Sequence, residues 1–134
     1  MYSVPKPQKV NIVNAIVAMT QFVGAILHLS TTDIIPDQDT ELADFTECDF
    51  TGYAASSAIV WGSAYLDATG NGTSAGTAKT FVATGSTITN IAYTYYVTTA
   101  LGAYLFGGRL LVPVNFAEAG DGVTLLPTFV FQGS

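Results

Sequence analysis

The apolar positions of this chain change period once, near Thr20, and the two sides of that change predict different structures. Between residues 9 and 19, Val10, Val13, Ile16 and Val17 fall at i, i+3, i+6 and i+7, one face of a short helix. Asparagines and β-branched residues make this a poor autonomous helix, so it is expected to form only against a packing partner. Ahead of it, residues 1–8 hold two prolines and no period, which predicts an extended arm. Residues 22–30 predict a strand. Residues 31–49, rich in Asp and Thr and holding Pro36, predict a long loop, and residues 50–61 a β-like segment of small side chains.

The second half reads as short β segments separated by turns. Residues 68–78 (ATGNGTSAGTA) predict a surface loop with mobile tip residues. Strands are expected at 79–83, 87–98, 104–106, 109–114 and 122–131. Ile88, Ile91, Tyr93, Tyr95, Tyr96 and Val97 are strong strand formers, and they mark 87–98 as a central strand. Gly107 and Gly108 predict a turn, residues 119–122 a tight hairpin-like connection, and Pro127 an edge or bulge in the last strand. The fold class that follows is mainly β: a single-domain antiparallel β-sandwich or jelly-roll-like barrel with a short N-terminal helix and extended arm. Residues 1–21 supply the arm and helix, and 22–134 the sandwich.

Composition sharpens this picture. The chain has 134 residues, enough to bury roughly two-thirds of its unfolded surface in one core. Only 10% of the residues are charged, against about 25% in ordinary globular proteins. So much neutral surface suits a subunit whose faces are covered by neighbours. The net charge is −6, and Lys6, Lys9, Lys79 and Arg109 are scattered, which argues against nucleic-acid binding because that needs clustered cations. Residues 12–29 lack charge, yet Asn14, Thr20, Gln21, Gly24 and His28 interrupt them, so neither a membrane span nor a signal peptide is expected.

Candidate chemistry is sparse. Asp33, Asp37, Asp39, Glu41, Asp44, Glu47 and Asp49 are seven of the ten acids. Their spacing does not match the calcium loop with its central glycine and terminal glutamate, so a solvated or partner-facing acidic loop is expected, with no metal and no cofactor. Cys48 stands alone among acids, which disfavours its thiolate. His28 is the single histidine, expected as a packed or rim residue, and no nucleophile elbow, phosphate loop or paired zinc spacing occurs. No enzyme is therefore expected. Interface candidates are the helical stripe Val10, Val13, Ile16 and Val17, together with Trp61 and Tyr95 from the aromatic set.

Residues 42–54 read LADFTECDFTGYA, preceded by LHLSTTDIIPDQDT and followed at a distance by AYTYYVTTALGAYLFGGRLLVPVNFAEAGDGVTLLP. The chain resembles a group of small virion proteins of tailed bacteriophages that carry a LADFTEADFTGYA motif, a preceding helix, strand and loop, and a late "GD.L...P" close. Cys48 replaces the alanine of that motif. The resemblance implies a non-enzymatic structural component of the particle and carries no catalytic residues. The expectation is a head-decoration or minor capsid protein on the outer surface of the virion. Its partners would be the major capsid protein or other virion proteins and further copies of itself as a homo-oligomer, with no nucleic acid and no membrane. The alternative is a tail or fibre-associated subunit that binds glycans through its aromatic side chains.

Overall fold

The computed structural model describes residues 5–131, which form one α-helix and eight strands. Helix α1 (Lys6–Val17) begins earlier than the apolar period implies. Pro7 in its first turn has no N–H to leave unsatisfied and a φ already set for a helix. Residues 6–8 thus belong to the helix rather than to an arm, and residues 1–4 of the expected arm lie outside the described residues. The helix ends at Ala18, whose N–H donates to the Asn14 carbonyl at 3.3 Å, and the chain turns through Phe22 into β1 (Ile26–Ser30), which is shorter than the strand expected from Phe22.

The remaining strands are β2 (Tyr65–Leu66), β3 (Gly72–Ala75), β4 (Lys79–Val82), β5 (Asn90–Thr98), β6 (Tyr104–Phe116), β7 (Gly122–Leu125) and β8 (Thr128–Phe131). They form three antiparallel sheets, β1-β5-β6, β2-β3-β8 and β4-β7. The protein is mainly β, with sheets packed on one another as in a sandwich. The described strands do not join into a closed barrel. β5 is the central strand that its composition predicts, and Tyr96, Val97 and Thr98 are buried on both of its faces.

Four expectations are corrected. Within 68–78, the turn around Gly70 is followed not by a mobile tip but by β3, a buried strand at the middle of its sheet. The small residues are there because α1 lies on them: a Cβ on Gly72 would stand 2.6 Å from the Lys9 carbonyl oxygen. Gly107 and Gly108 do not turn but run straight inside the thirteen-residue β6, where the Tyr95 ring crosses the strand and a Cβ on Gly108 would lie 2.5 Å from its hydroxyl. The last expected strand splits at Leu126 and Pro127 into β7 and β8, which belong to different sheets. Residues 119–122 likewise join β6 to β7 across sheets rather than closing a hairpin. Residues 50–61 turn at Thr51 and Gly52 and then run mostly outside the ladders. With Cys48 they line the outer edge of β1, where Cys48, Ser56 and Ile59 donate to the carbonyls of Leu29, Leu27 and Ala25 at 2.9, 3.0 and 2.8 Å.

The core sits between the β1-β5-β6 sheet and the β4-β7 pair. Leu27, Leu29, Phe50, Ile59, Phe81, Ala92, Val97 and Phe116 fill it, with Phe50 and Phe116 stacked at 4.0 Å. A second aromatic cluster of Phe22, Trp61, Phe106 and Phe129 fastens β6 to β8. Each buried ring contributes on the order of 2–3 kcal/mol by leaving water.

Candidate functional site

The alternation of β1 sends Leu27 and Leu29 into the core and His28 to the opposite face, where the register sets it directly across from Tyr96. The His28 and Tyr96 rings stack at 4.6 Å and 4°, and Phe45 covers Tyr96 from its other side at 4.7 Å. Glu47 comes to the same place because the backbone bridge between Ser30 and Glu47 pins that residue beside β1. Its Oε2 atom lies 2.6 Å from His28 Nδ1 and accepts from the Tyr53 hydroxyl at 2.6 Å. The Tyr53 oxygen in turn accepts the Leu29 N–H at 3.2 Å. Facing the carboxylate, Nδ1 is the donor, and Nε2 lies 2.8 Å from the Thr98 hydroxyl, accepting from it in the neutral imidazole and donating to it in the protonated one.

Thr98, His28 and Glu47 thus reproduce the connectivity of a hydroxyl–imidazole–carboxylate relay. Access decides what it can do. Thr98, the last residue of the central strand, is 3% exposed, so little of it is open to a substrate. The arrangement is a clasp that ties β1, β5 and the 45–53 segment together. Burial first, and then the Glu47 carboxylate, raise the Tyr53 and Tyr96 pKa values above the ordinary tyrosine range, so both hydroxyls keep their protons. Cys48 is buried among Asp49 and Glu47, and its thiol is pushed up to about 12, an unreactive setting.

The acids of 33–49 are dispersed into local bonds. Asp33 pairs with Arg109 at 2.7 Å, Asp37 accepts the Asp39 N–H at 2.8 Å, Asp44 accepts the Glu41 N–H at 2.8 Å, and Asp49 meets the Asn90 amide at 3.0 Å. Among the described residues no group of three or more His, Cys, Asp or Glu side chains gathers as metal ligands would, and no helix is long and apolar enough to cross a membrane.

The interface candidates separate. Val10, Val13, Ile16 and Val17 lie on α1, which packs on the protein's own β2-β3-β8 sheet, with Val13 fully buried. Tyr95 is half-buried across Gly108, and Trp61 donates its indole N–H to the Phe22 carbonyl at 3.0 Å while its ring packs on Phe22. Val17 and Trp61 nonetheless meet again, as part of the lining of an apolar cleft of about 600 Å³ that also takes in Val23 and Val60.

One feature escaped the sequence reading. Between the pairs Thr94–Arg109 and Ala92–Val114, the single β5 residue Tyr93 faces Leu110, Leu111, Val112 and Pro113 on β6. The surplus residues bulge outward, leaving Leu111 fully exposed and Val112 largely so. The run RLLVPV carried the signal, because five adjacent apolar residues cannot all face one side of a strand. No family model matches the chain, and no curated protein or solved structure matches it.

Proposed function

We propose that this chain is a non-enzymatic structural subunit of a phage particle, a head-decoration or minor capsid protein bound to the outer shell. The observation that supports this reading best is the set of large apolar side chains left in water: Leu101 and Leu111 fully exposed, and Ile35, Val60, Val23 and Val112 more than half exposed. A free monomer with 10% charged residues gains nothing from them, whereas a subunit covered by neighbours buries them at assembly. The relay-like cluster fits the same reading, since its threonine is buried. The glycan-binding alternative loses its motive at Trp61 and Tyr95, whose rings are engaged in internal packing. Reconstruction of the intact particle tests the proposal: density for this chain on the head shell is expected, and density confined to the tail tip would reject the head assignment.

A further inference from the structure

After β1 the chain makes a loop with a closed neck. At the neck the Thr31 N–H donates to the Thr46 carbonyl at 2.9 Å, and the Thr46 N–H donates to Thr32 Oγ1 at 2.9 Å. One root is tied to β5, because the Thr32 carbonyl accepts the Thr94 hydroxyl at 3.1 Å. The other is tied by Phe45, which is buried and stacked on Tyr96. Beyond the neck the character changes. None of residues 33–44 is buried, and their hydrogen bonds run among themselves and to Phe45, as between Asp37 and Thr40 and between Glu41 and Asp44. Among the described residues a single polar contact crosses from this loop to the sheet, Arg109 Nη2 to Asp33 Oδ1 at 2.7 Å. Alongside it a hollow of about 340 Å³ separates Pro36–Thr40 from Tyr104–Gly107 of β6.

We infer that residues 33–44 form a strap latched to β6 by the Asp33–Arg109 pair, which lifts off the Tyr104–Gly107 stretch as a unit while the sheets stay folded. Lifting removes no buried side chain from the core, so the strap belongs to the least stable part of the fold and opens locally. The neck bonds and Phe45 remain in place as its hinges. Charge makes Arg109 the latch. The strap carries Asp33, Asp37, Asp39, Glu41 and Asp44 and no base, and Arg109 is the one base after residue 79. The other cations are placed elsewhere: Lys6 and Lys9 against Gly70, and Lys79 on Ser57 and the Ala58 carbonyl. Both partners of the latch are about half exposed, at 44% and 51%, and such a pair shifts an equilibrium rather than locking it. Release frees Arg109 and opens the hollow beside Tyr104 and Phe106 to solvent. This device stands independently of the chain's place in a particle.

Distances between nitroxide labels at Ile35→Cys, on the strap, and Ile91→Cys, on β5, test this in the full chain. Both positions are exposed, whereas Cys48 is buried and stays unlabelled. At low salt one narrow, seated population should dominate. Arg109→Gln should raise the ratio of lifted to seated strap about two- to fivefold. Asp33→Asn should do the same, and the double variant should go no further, because both changes remove one contact. Raising NaCl to about 1 M should widen the distribution in the wild type by screening the latch. In Arg109→Gln it should not, since only repulsion among the acids remains to be screened. The melting temperature of Arg109→Gln should match that of the wild type. Distances unmoved by Arg109→Gln would overturn the inference, as would a wild-type strap already lifted at low salt. A double variant that displaces the strap beyond either single one would show that the two residues do not act as a pair. A fall in melting temperature with Arg109→Gln would show that the segment opens only with the whole fold.

Discussion

At the scale of single residues, Glu47 links groups that the sequence keeps far apart. Replacing it with Ala leaves the Tyr53 hydroxyl and His28 Nδ1 without their acceptor, a loss of about 1–3 kcal/mol in urea unfolding, whereas Glu47→Gln retains an oxygen and should cost less. Titration gives a second expectation, with a sign for each end of the pH scale. Tyr53, Tyr96 and Cys48 have raised values in the fold, so they bind protons more tightly there than in the unfolded chain. Their contribution is complete below the ordinary Cys and Tyr ranges and is lost as pH rises through about 9 and beyond. Asp67 is held low by the Asn71 N–H and the Thr69 hydroxyl, and Asp121 by the N–H groups of Ala117 and Glu118. Their contribution is present above the ordinary Asp range, near 4, and is lost as pH falls below it. Urea midpoints measured from pH 2 to 11 should therefore decline at both ends. Asp121→Asn should flatten the acid limb, and an unchanged limb would count against these bonds.

At the scale of elements, α1 and β3 form one unit. The valine stripe predicts a helix that needs a partner, and the structure supplies that partner within the chain: the glycine at 72 lets the helix backbone settle on the strand. Val13→Ala should cost about 2 kcal/mol by transfer and cavity. Gly72→Val, which must push Lys9 away, should cost about 1–3 kcal/mol by overpacking. From the sequence, a division at residue 21 predicts that the chain without residues 1–19 remains a folded β domain. With α1 packed on β3, the expected outcome is instead a truncated chain that melts far earlier or aggregates, because Thr73 and Ser74 lose their cover. Circular dichroism and thermal melting distinguish the two, and a truncation that melts like the full chain would restore the independent-domain boundary.

At the scale of the whole molecule, most of the sheet is sewn from distant segments. β1 pairs with β5 from Ile26 to Thr98, and β3 with β8 from Gly72 to Phe131, while β5–β6 is the local hairpin of the larger sheet. Loop closure must precede such pairing, so refolding is expected in milliseconds to seconds rather than microseconds, readable by stopped-flow fluorescence of Trp61. Removing residues 127–131 deletes β8 and strips β3 of its partner, and should unfold the β2-β3-β8 sheet together with α1.

What the sequence by itself determined is what local chemistry controls. The 3.6-residue period of the valines produced the helix, β-branched and aromatic density produced the central strand β5, and low charge set the character of the surface. Tertiary structure alone decided whatever depends on a neighbour remote in the chain. Gly72–Ala75 has the composition of a loop and becomes a buried strand because small side chains are what a crossing helix requires. Gly107 and Gly108 have the composition of a turn and stay extended because the Tyr95 ring passes over Gly108 while the Tyr95 carbonyl and the Phe45 ring close on Gly107. Glu47, His28, Tyr53 and Thr98 meet only when β1, β5 and the 45–53 segment are in register, and no spacing along the chain encodes a contact between residues 28 and 98. A side chain's own preference acts over a turn or two of backbone, whereas close packing makes its final place depend on whatever fills the space beside it.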